Sequence, residues 1–325
     1  MAAVTIKYFL LNKNPQNDQL LGTKWVENIE EVLIPISKKN KPFFITMVFT
    51  NVLSFRWRVE YVLGISKDVW GIWLTEKDVS DDKYLSSTLE IRGIKSAAQI
   101  VRKGTIVIVE YGHIYQSLNF RQGLLRSTLY PCSNQEGEMH KRRPAIVVSA
   151  DTWGVKVVPI TSVEPEGNTV NQSIFELETE STEFISEFRQ GRRSFALCDM
   201  VQSVSYNRIL PPLARPYGGR SRQFKRDIAY PRRLSKNDTD ALEKGLLTAI
   251  GMAALKKKND TLYDQNQKDT LAIANLAQQI EDANMQLSEL RERYALLKSL
   301  YQGASGTTSD QAVEDEIDEW ISAGI

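Results

Sequence analysis

Residues 138–149 read EMHKRRPAIVVS, and the change of character within them decides how the middle of the chain folds. An acid and a histidine lead into Lys141, Arg142 and Arg143. Pro144 ends the polar run, and the residues after it are apolar and β-branched, as a buried strand requires. Working outward, 105–109 (TIVIV), 155–160 (VKVVPI), 173–177 (SIFEL) and 195–198 (FALC) are similar short runs. Gly104, Gly112, the turn at 151–154 and Gly167 punctuate them. Short strands separated by turns predict a compact barrel or sandwich across 104–210. Residues 235–252 then predict a helix, with Ser235 or Asn237 as N-cap and Leu242, Leu246, Leu247 and Ile250 on one face.

The flanks differ. In 1–98, residues 25–33 (WVENIEEVL) have apolar side chains at helical spacing, whereas 43–49, 55–63 and 69–74 are aromatic and β-branched and read as strands. No chemistry is legible there, and Trp25, Trp57, Trp70 and Trp73 are expected in a core or an interface. In 260–302, Ile273, Leu276, Ile280, Ala283, Leu287, Leu290, Tyr294, Leu297 and Tyr301 follow alternating steps of three and four. That pattern predicts a left-handed coiled coil, between chains or within a hairpin. Residues 303–309 (GASGTTS) read as a flexible linker. A short acidic segment follows, with Val313, Ile317, Trp320 and Ile321 at helical spacing.

Forty-one basic and 40 acidic residues in 325 leave a net charge of +1. The distribution says more. No Lys or Arg follows Gly303, so residues 1–302 hold 41 bases against 34 acids, a net of +7. A basic body with an acidic tail points to a polyanionic partner. Two cysteines make neither a disulfide framework nor a zinc site. The longest uncharged run, 42–55, is too short and too polar to span a membrane. The expectation is a cytoplasmic protein with no membrane partner.

Three stretches in order carry a family resemblance: 103–107 (KGTIV); 138–149 with 158–162 (VPITS); and 194–204 (SFALCDMVQSV). With the final helix they resemble the MazF/PemK toxin domain. The resemblance covers about 150 residues and, together with the patterns above, gives an α+β chain divided into four. An α/β extension (1–98) precedes an SH3-like barrel (99–255), a coiled coil (256–302), and a linker with acidic tail (303–325). It further implies single-stranded RNA, mRNA in particular, as the partner, a dimer or higher homo-oligomer, and no metal or other cofactor. Arg143 falls at the family's catalytic arginine, Glu138 at the acidic position of one branch, and Thr161 at the strand-end threonine. Asp199 matches another branch, but Leu197 stands where that branch has arginine. Cleavage would need a cation for the charge developing on phosphorus and groups to move the 2′- and 5′-oxygen protons.

Two segments exceed the family pattern. The loop 113–135 adds Arg121 and Arg126 among Tyr115, Phe120 and Tyr130. Residues 208–233 (RILPPLARPYGGRSRQFKRDIAYPRR) hold seven arginines and Lys225 against Asp227. Its glycines and prolines predict no regular structure. Guanidinium groups for phosphates and rings for bases suit unpaired RNA. The expected contacts are Arg121, Arg126, His140, Lys141, Arg142, Arg208, Arg215, Tyr217, Arg220, Arg222, Phe224, Lys225, Arg226, Tyr230, Arg232 and Arg233. Three readings follow: an RNA binder multimerised by its coiled coil, similar to MazF-like RNA-binding proteins of large phages; a metal-independent endoribonuclease; or a protein-interaction module, since relatives of the barrel bind a topoisomerase. The acidic tail resembles antitoxin segments that block the RNA groove, so it is expected to dock there or on a protein partner.

Overall fold

In the computed structural model the described residues are 3–13, 17–36, 42–80, 82–126, 130–164, 173–188, 191–216, 223–306 and 309–324. They form two units, Met1–Ala253 and Ala254–Ile325.

The first unit opens with six strands, β1 (Val4–Leu10), β2 (Gln19–Val26), β3 (Glu31–Ile34), β4 (Phe43–Thr46), β5 (Arg56–Ser66) and β6 (Val69–Glu76). Five of them make a sheet in the order β2-β1-β6-β5-β4, in which only β1 and β6 run parallel. The helix expected over 25–33 is instead the end of β2, a bend with Asn28 at φ 57°, and β3. The cause is non-local: β3 pairs with β8 (Gln116–Asn119), about 85 residues away, setting Val32 opposite Leu118. Local periodicity does not register such a partner. Trp57 is fully buried, and Trp73 stacks on Phe9 and Tyr61, but Trp25 lies 69% exposed.

After α1 (Leu85–Arg92) come β7 (Ile106–Glu110), β8, β9 (Gly123–Arg126), β10 (Arg142–Ala150), β11 (Val155–Thr161), β12 (Ile174–Glu176), α2 (Thr179–Thr182), β13 (Phe195–Leu197), β14 (Gln202–Val204), β15 (Ile209–Leu210), β16 (Leu213–Ala214), β17 (Lys225–Arg226) and α3 (Lys236–Ala249). The main sheet runs β12-β13-β11-β10-β7-β15, with β14 also on β11. No sheet closes among the described residues. The strands are apolar at successive positions because both faces are covered. Ala145, Val147, Val107 and Val109 pack with Leu85 and Leu89 of α1, whereas Ile146, Val158 and Ile160 pack with Leu242 of α3. Ser235 is the N-cap of α3 and accepts from the Asp238 amide at 3.1 Å.

Neither long insertion is structureless. Residues 116–126 form the β8–β9 hairpin, and Tyr115, Leu118 and Phe120 pack into the core of the N-terminal sheet. Residues 208–233 hold the short strands β15, β16 and β17, the last two paired with each other.

In the second unit α4 (Ala253–Ser305) continues past the expected linker start, and α5 (Asp310–Ala323) contains the acidic tail. The two touch through Lys298 and Glu314 (2.7 Å) and the edge-to-face rings of Tyr301 and Trp320. No described helix is long and apolar enough to cross a membrane.

Because Leu118 belongs to the N-terminal core yet comes from the middle of the chain, Leu118→Ala should destabilise the first unit by about 3 kcal/mol. Urea unfolding followed by tryptophan fluorescence should show the loss, since Trp57 shares that core. A fluorescence midpoint unchanged from the parent would contradict this packing.

Candidate nucleic-acid interface

The polar run ahead of β10 is folded into a strap. Lys141 donates its amide to the Gly112 carbonyl at 2.6 Å, and its own carbonyl accepts from Tyr111. The turn needs Lys141 at φ 69° and Gly112 at φ 92°, where a Cβ would meet the Asn134 side-chain oxygen at 2.9 Å. Asn134 in turn donates to the carbonyls of Tyr111 and Met139. The strap therefore fixes two neighbouring arginines in different surroundings.

Arg142 is enclosed by acids. Its two Nη atoms donate to the Asp82 carboxylate at 2.9 and 2.8 Å, and its Nε to Glu110 at 3.0 Å. Glu110 also accepts from Arg56 (3.1 Å) and the Tyr84 hydroxyl (2.7 Å), and Asp82 from Lys77 (3.0 Å). Burial would raise the Asp82 carboxyl, but the hydrogen bonds and charge of Arg142, joined by Lys77, bring it down to about 2. Glu110 is lowered in the same way, burial opposing and Arg142 prevailing.

Arg143 is placed otherwise. Its Nε donates to the His140 carbonyl at 3.1 Å, and among the described residues no carboxylate pairs with it. Burial lowers its pKa, yet a guanidinium remains charged at neutral pH. The β10–β11 ladder has its end pair at Ala145↔Pro159. Beyond that pair β10 stays with β7 and β11 moves to β13. Arg143 there pairs with Val109 of β7 and Thr161 with Phe195 of β13, each two residues beyond the last β10–β11 pair. Thr161 is 8% exposed, and its hydroxyl accepts from the Val163 amide. Glu138 is exposed on the strap and accepts from the Gln135 amide at 2.9 Å.

Beside the strap lies a cleft of about 520 Å³, walled by Phe44 and Arg56 from the N-terminal sheet and by Glu110, His113, Lys141 and Arg208. Burial, with the charge of Arg56, lowers His113 to about 4, so its ring is neutral at pH 7. It stacks on Phe43, and Nε2 accepts from the Phe44 amide, leaving the proton on Nδ1. A smaller hollow of about 220 Å³ shares His113 and Lys141 and adds His140 and Glu136.

The other expected contacts divide. Arg226 reaches Glu187 (3.1 Å) and the Pro211 carbonyl (2.6 Å). Tyr230 and Arg232 are 1% and 5% exposed, the latter donating to the Arg215 carbonyl and lying over Phe184. With Arg142, these four groups make internal contacts. Arg208, Arg215, Phe224, Lys225 and Arg233 are exposed, Arg215 lying over the Phe224 ring. Arg121 is exposed and pairs with Glu30. His140 and Lys141 are half-buried beside the hollow. Tyr217, Arg220, Arg222 and the side chain of Arg126 lie outside the described residues. Sequence reasoning missed Asp82, Glu110, Arg56 and Asn134, because a single acid at a strand end carries no signal of a distant arginine.

Residues 126–227 match the family model described as PemK-like, MazF-like toxin of type II toxin-antitoxin system. The chain carries a PemK/MazF-like domain. The match covers about a third of the chain, includes Glu138, Arg143 and Thr161, and runs through the basic stretch to Asp227. No curated protein matches the chain.

Asp82→Asn should remove roughly 3 kcal/mol by leaving Arg142 short of a partner. A carboxyl held below its ordinary 3.8 stabilises the fold above that pH, and the contribution fades as pH falls toward 2. The stability gap between parent and Asp82→Asn, measured by urea unfolding, should therefore narrow between pH 5 and pH 2.5. A gap independent of pH would contradict the ion pair.

Proposed function

We propose that this chain binds single-stranded RNA across the strap, the cleft and the exposed part of the basic stretch. The observation that carries the reading is the contrast between neighbours: Arg142 is neutralised by two carboxylates, whereas Arg143 stands at the strand opening with no such partner among the described residues. A half-buried guanidinium without a carboxylate suits phosphate oxygens, which its planar fork matches. Arg208, Arg215, Lys225 and Arg233 extend the positive surface, and Phe224 offers a ring for a base. Copies joined through α4 would bind one strand at several points and gain avidity. This arrangement would put the PemK/MazF-like domain, in its SH3-like form, to use as an RNA grip.

A second reading, metal-independent endoribonuclease, is favoured by Arg143 and Thr161 each lying two residues beyond the last β10–β11 pair. Arg143 would stabilise charge on the phosphorane, with Thr161 and the exposed Glu138 as candidates for orienting or moving protons.

Arg143→Ala should weaken binding of an unstructured RNA about tenfold, the worth of one charge-assisted contact. It should also lower the slope of log affinity against log salt by ~0.7. Fluorescence anisotropy across a salt series reads both, and unaltered affinity and slope would remove Arg143 from the interface. The same proteins incubated with long RNA and EDTA separate the readings. Discrete cuts lost in Arg143→Ala establish the nuclease, and intact, gel-shifted RNA establishes the binder.

A further inference from the structure

In α4 the a positions of the heptad are Asn259, Asn266, Ile273, Ile280, Leu287, Tyr294 and Tyr301, and the d positions are Leu255, Leu262, Asp269, Leu276, Ala283, Leu290 and Leu297. Among the described residues nothing covers the apolar part of this seam: Ile273, Leu276, Ile280, Leu290 and Leu297 are each 57–67% exposed. A helix of this length with nine consecutive a/d positions does not keep such a face in water when a partner is at hand.

We infer that the partner is a second copy of α4, packed antiparallel about a centre at Met285. This rests on the self-assembly included in the proposed function and adds the direction of pairing. Opposed about that centre, every a position meets a d position. Ile273 faces Leu297, Leu276 faces Tyr294, Ile280 faces Leu290, and the small Ala283 faces Leu287. The antiparallel overlap spans about 24 residues, or ~36 Å of helix.

Charge decides against the parallel alternative. Between 270 and 300 the seam's flanks (the e and g positions) carry Arg291 and Arg293 with Lys298, and no acid. Parallel and in register, Asp269 meets Asp269 inside the seam, and Arg293 of one copy, already paired with its own Glu289 at 2.6 Å, meets Lys298 of the other twice over. Like charges in those places destabilise a coiled coil. Antiparallel, Arg293 meets Gln279, Arg291 meets Ala277, and Lys298 meets Thr270. Asn259 and Asn266, whose pairing across an a layer favours parallel dimers, then fall outside the apolar overlap and stay hydrated. So does Asp269, held by Gln265 at 2.8 Å. At the other end α5 marks the limit of the seam: Tyr301 contacts Trp320, and Lys298 contacts Asp310 and Glu314.

Distances between spin labels test this in the full chain. In a Cys132→Ser background, with Cys198 buried and unreactive, Met285→Cys and Leu271→Cys each place one label on the outer face of α4. The antiparallel pair keeps the two 285 labels close and moves the 271 labels ~42 Å apart along the axis, 28 residues at 1.5 Å each. A short distance at both positions means a parallel dimer and overturns the inference alone. Absence of dipolar coupling at either position means that a second copy does not cover the seam, and it overturns the self-assembly as well. Anisotropy of an RNA probe in the same samples reports separately on RNA binding, so failure of the pairing and failure of the RNA reading are told apart.

Discussion

The clamp of Asp82 and Glu110 on Arg142 is the constraint on which the rest of this structure depends. It draws on the ends of distant segments: Arg56 from β5, Lys77 after β6, Tyr84 before α1, Glu110 closing β7 and Arg142 opening β10. Arg226 of the basic stretch also approaches Asp82, at 3.7 Å. Seven polar side chains, Asp82 and Arg226 among them, are thereby held together partly out of water. Each cation reaches a carboxylate, Arg226 having Glu187 as well, and paired, hydrogen-bonded charge is the condition under which a half-buried cluster is stable. Once Arg142 is fixed, the strap and the backbone of β10 fix Arg143 next to it.

This sorting changes how the basic segments are to be counted. By composition, 208–233 is a block of positive charge awaiting a polyanion. By structure, Arg226 and Arg232 make protein contacts and Tyr230 lies in the core, so the surface left for a ligand is smaller and more localised. The exposed cations, Arg208, Arg215, Lys225 and Arg233, belong to the same unit as the strap. The 113–135 insertion is sorted in the same manner: Tyr115 and Phe120 pack on the N-terminal core, and Arg121 stays at the surface.

What was legible in the sequence follows a physical line. The β-branched runs at 105–109, 145–149 and 155–160 and the capped helix after Ser235 depend on local pattern, and the structure has them where the pattern puts them. The long helix and the acidic helix after it were equally readable. Residues 25–33 depart from the expected helix because β3 pairs with β8, and a strand made by a remote partner leaves no periodicity of its own. In the candidate site, Arg143 and Thr161 were visible through their motif. The difference between Arg143 and Arg142 was not, since it depends on Asp82 and Glu110, acids that sequence distance hides.

The central claim is that RNA is held at the strap and the exposed basic stretch, not simply by positive charge anywhere on the chain. Photocrosslinking of a 4-thiouridine-substituted single strand, with the modified peptides mapped by mass spectrometry, tests it most directly. The account predicts adducts concentrated in peptides from 134–143 and 206–233. Adducts confined to 1–76 or 254–325, or none at saturating RNA, would contradict it.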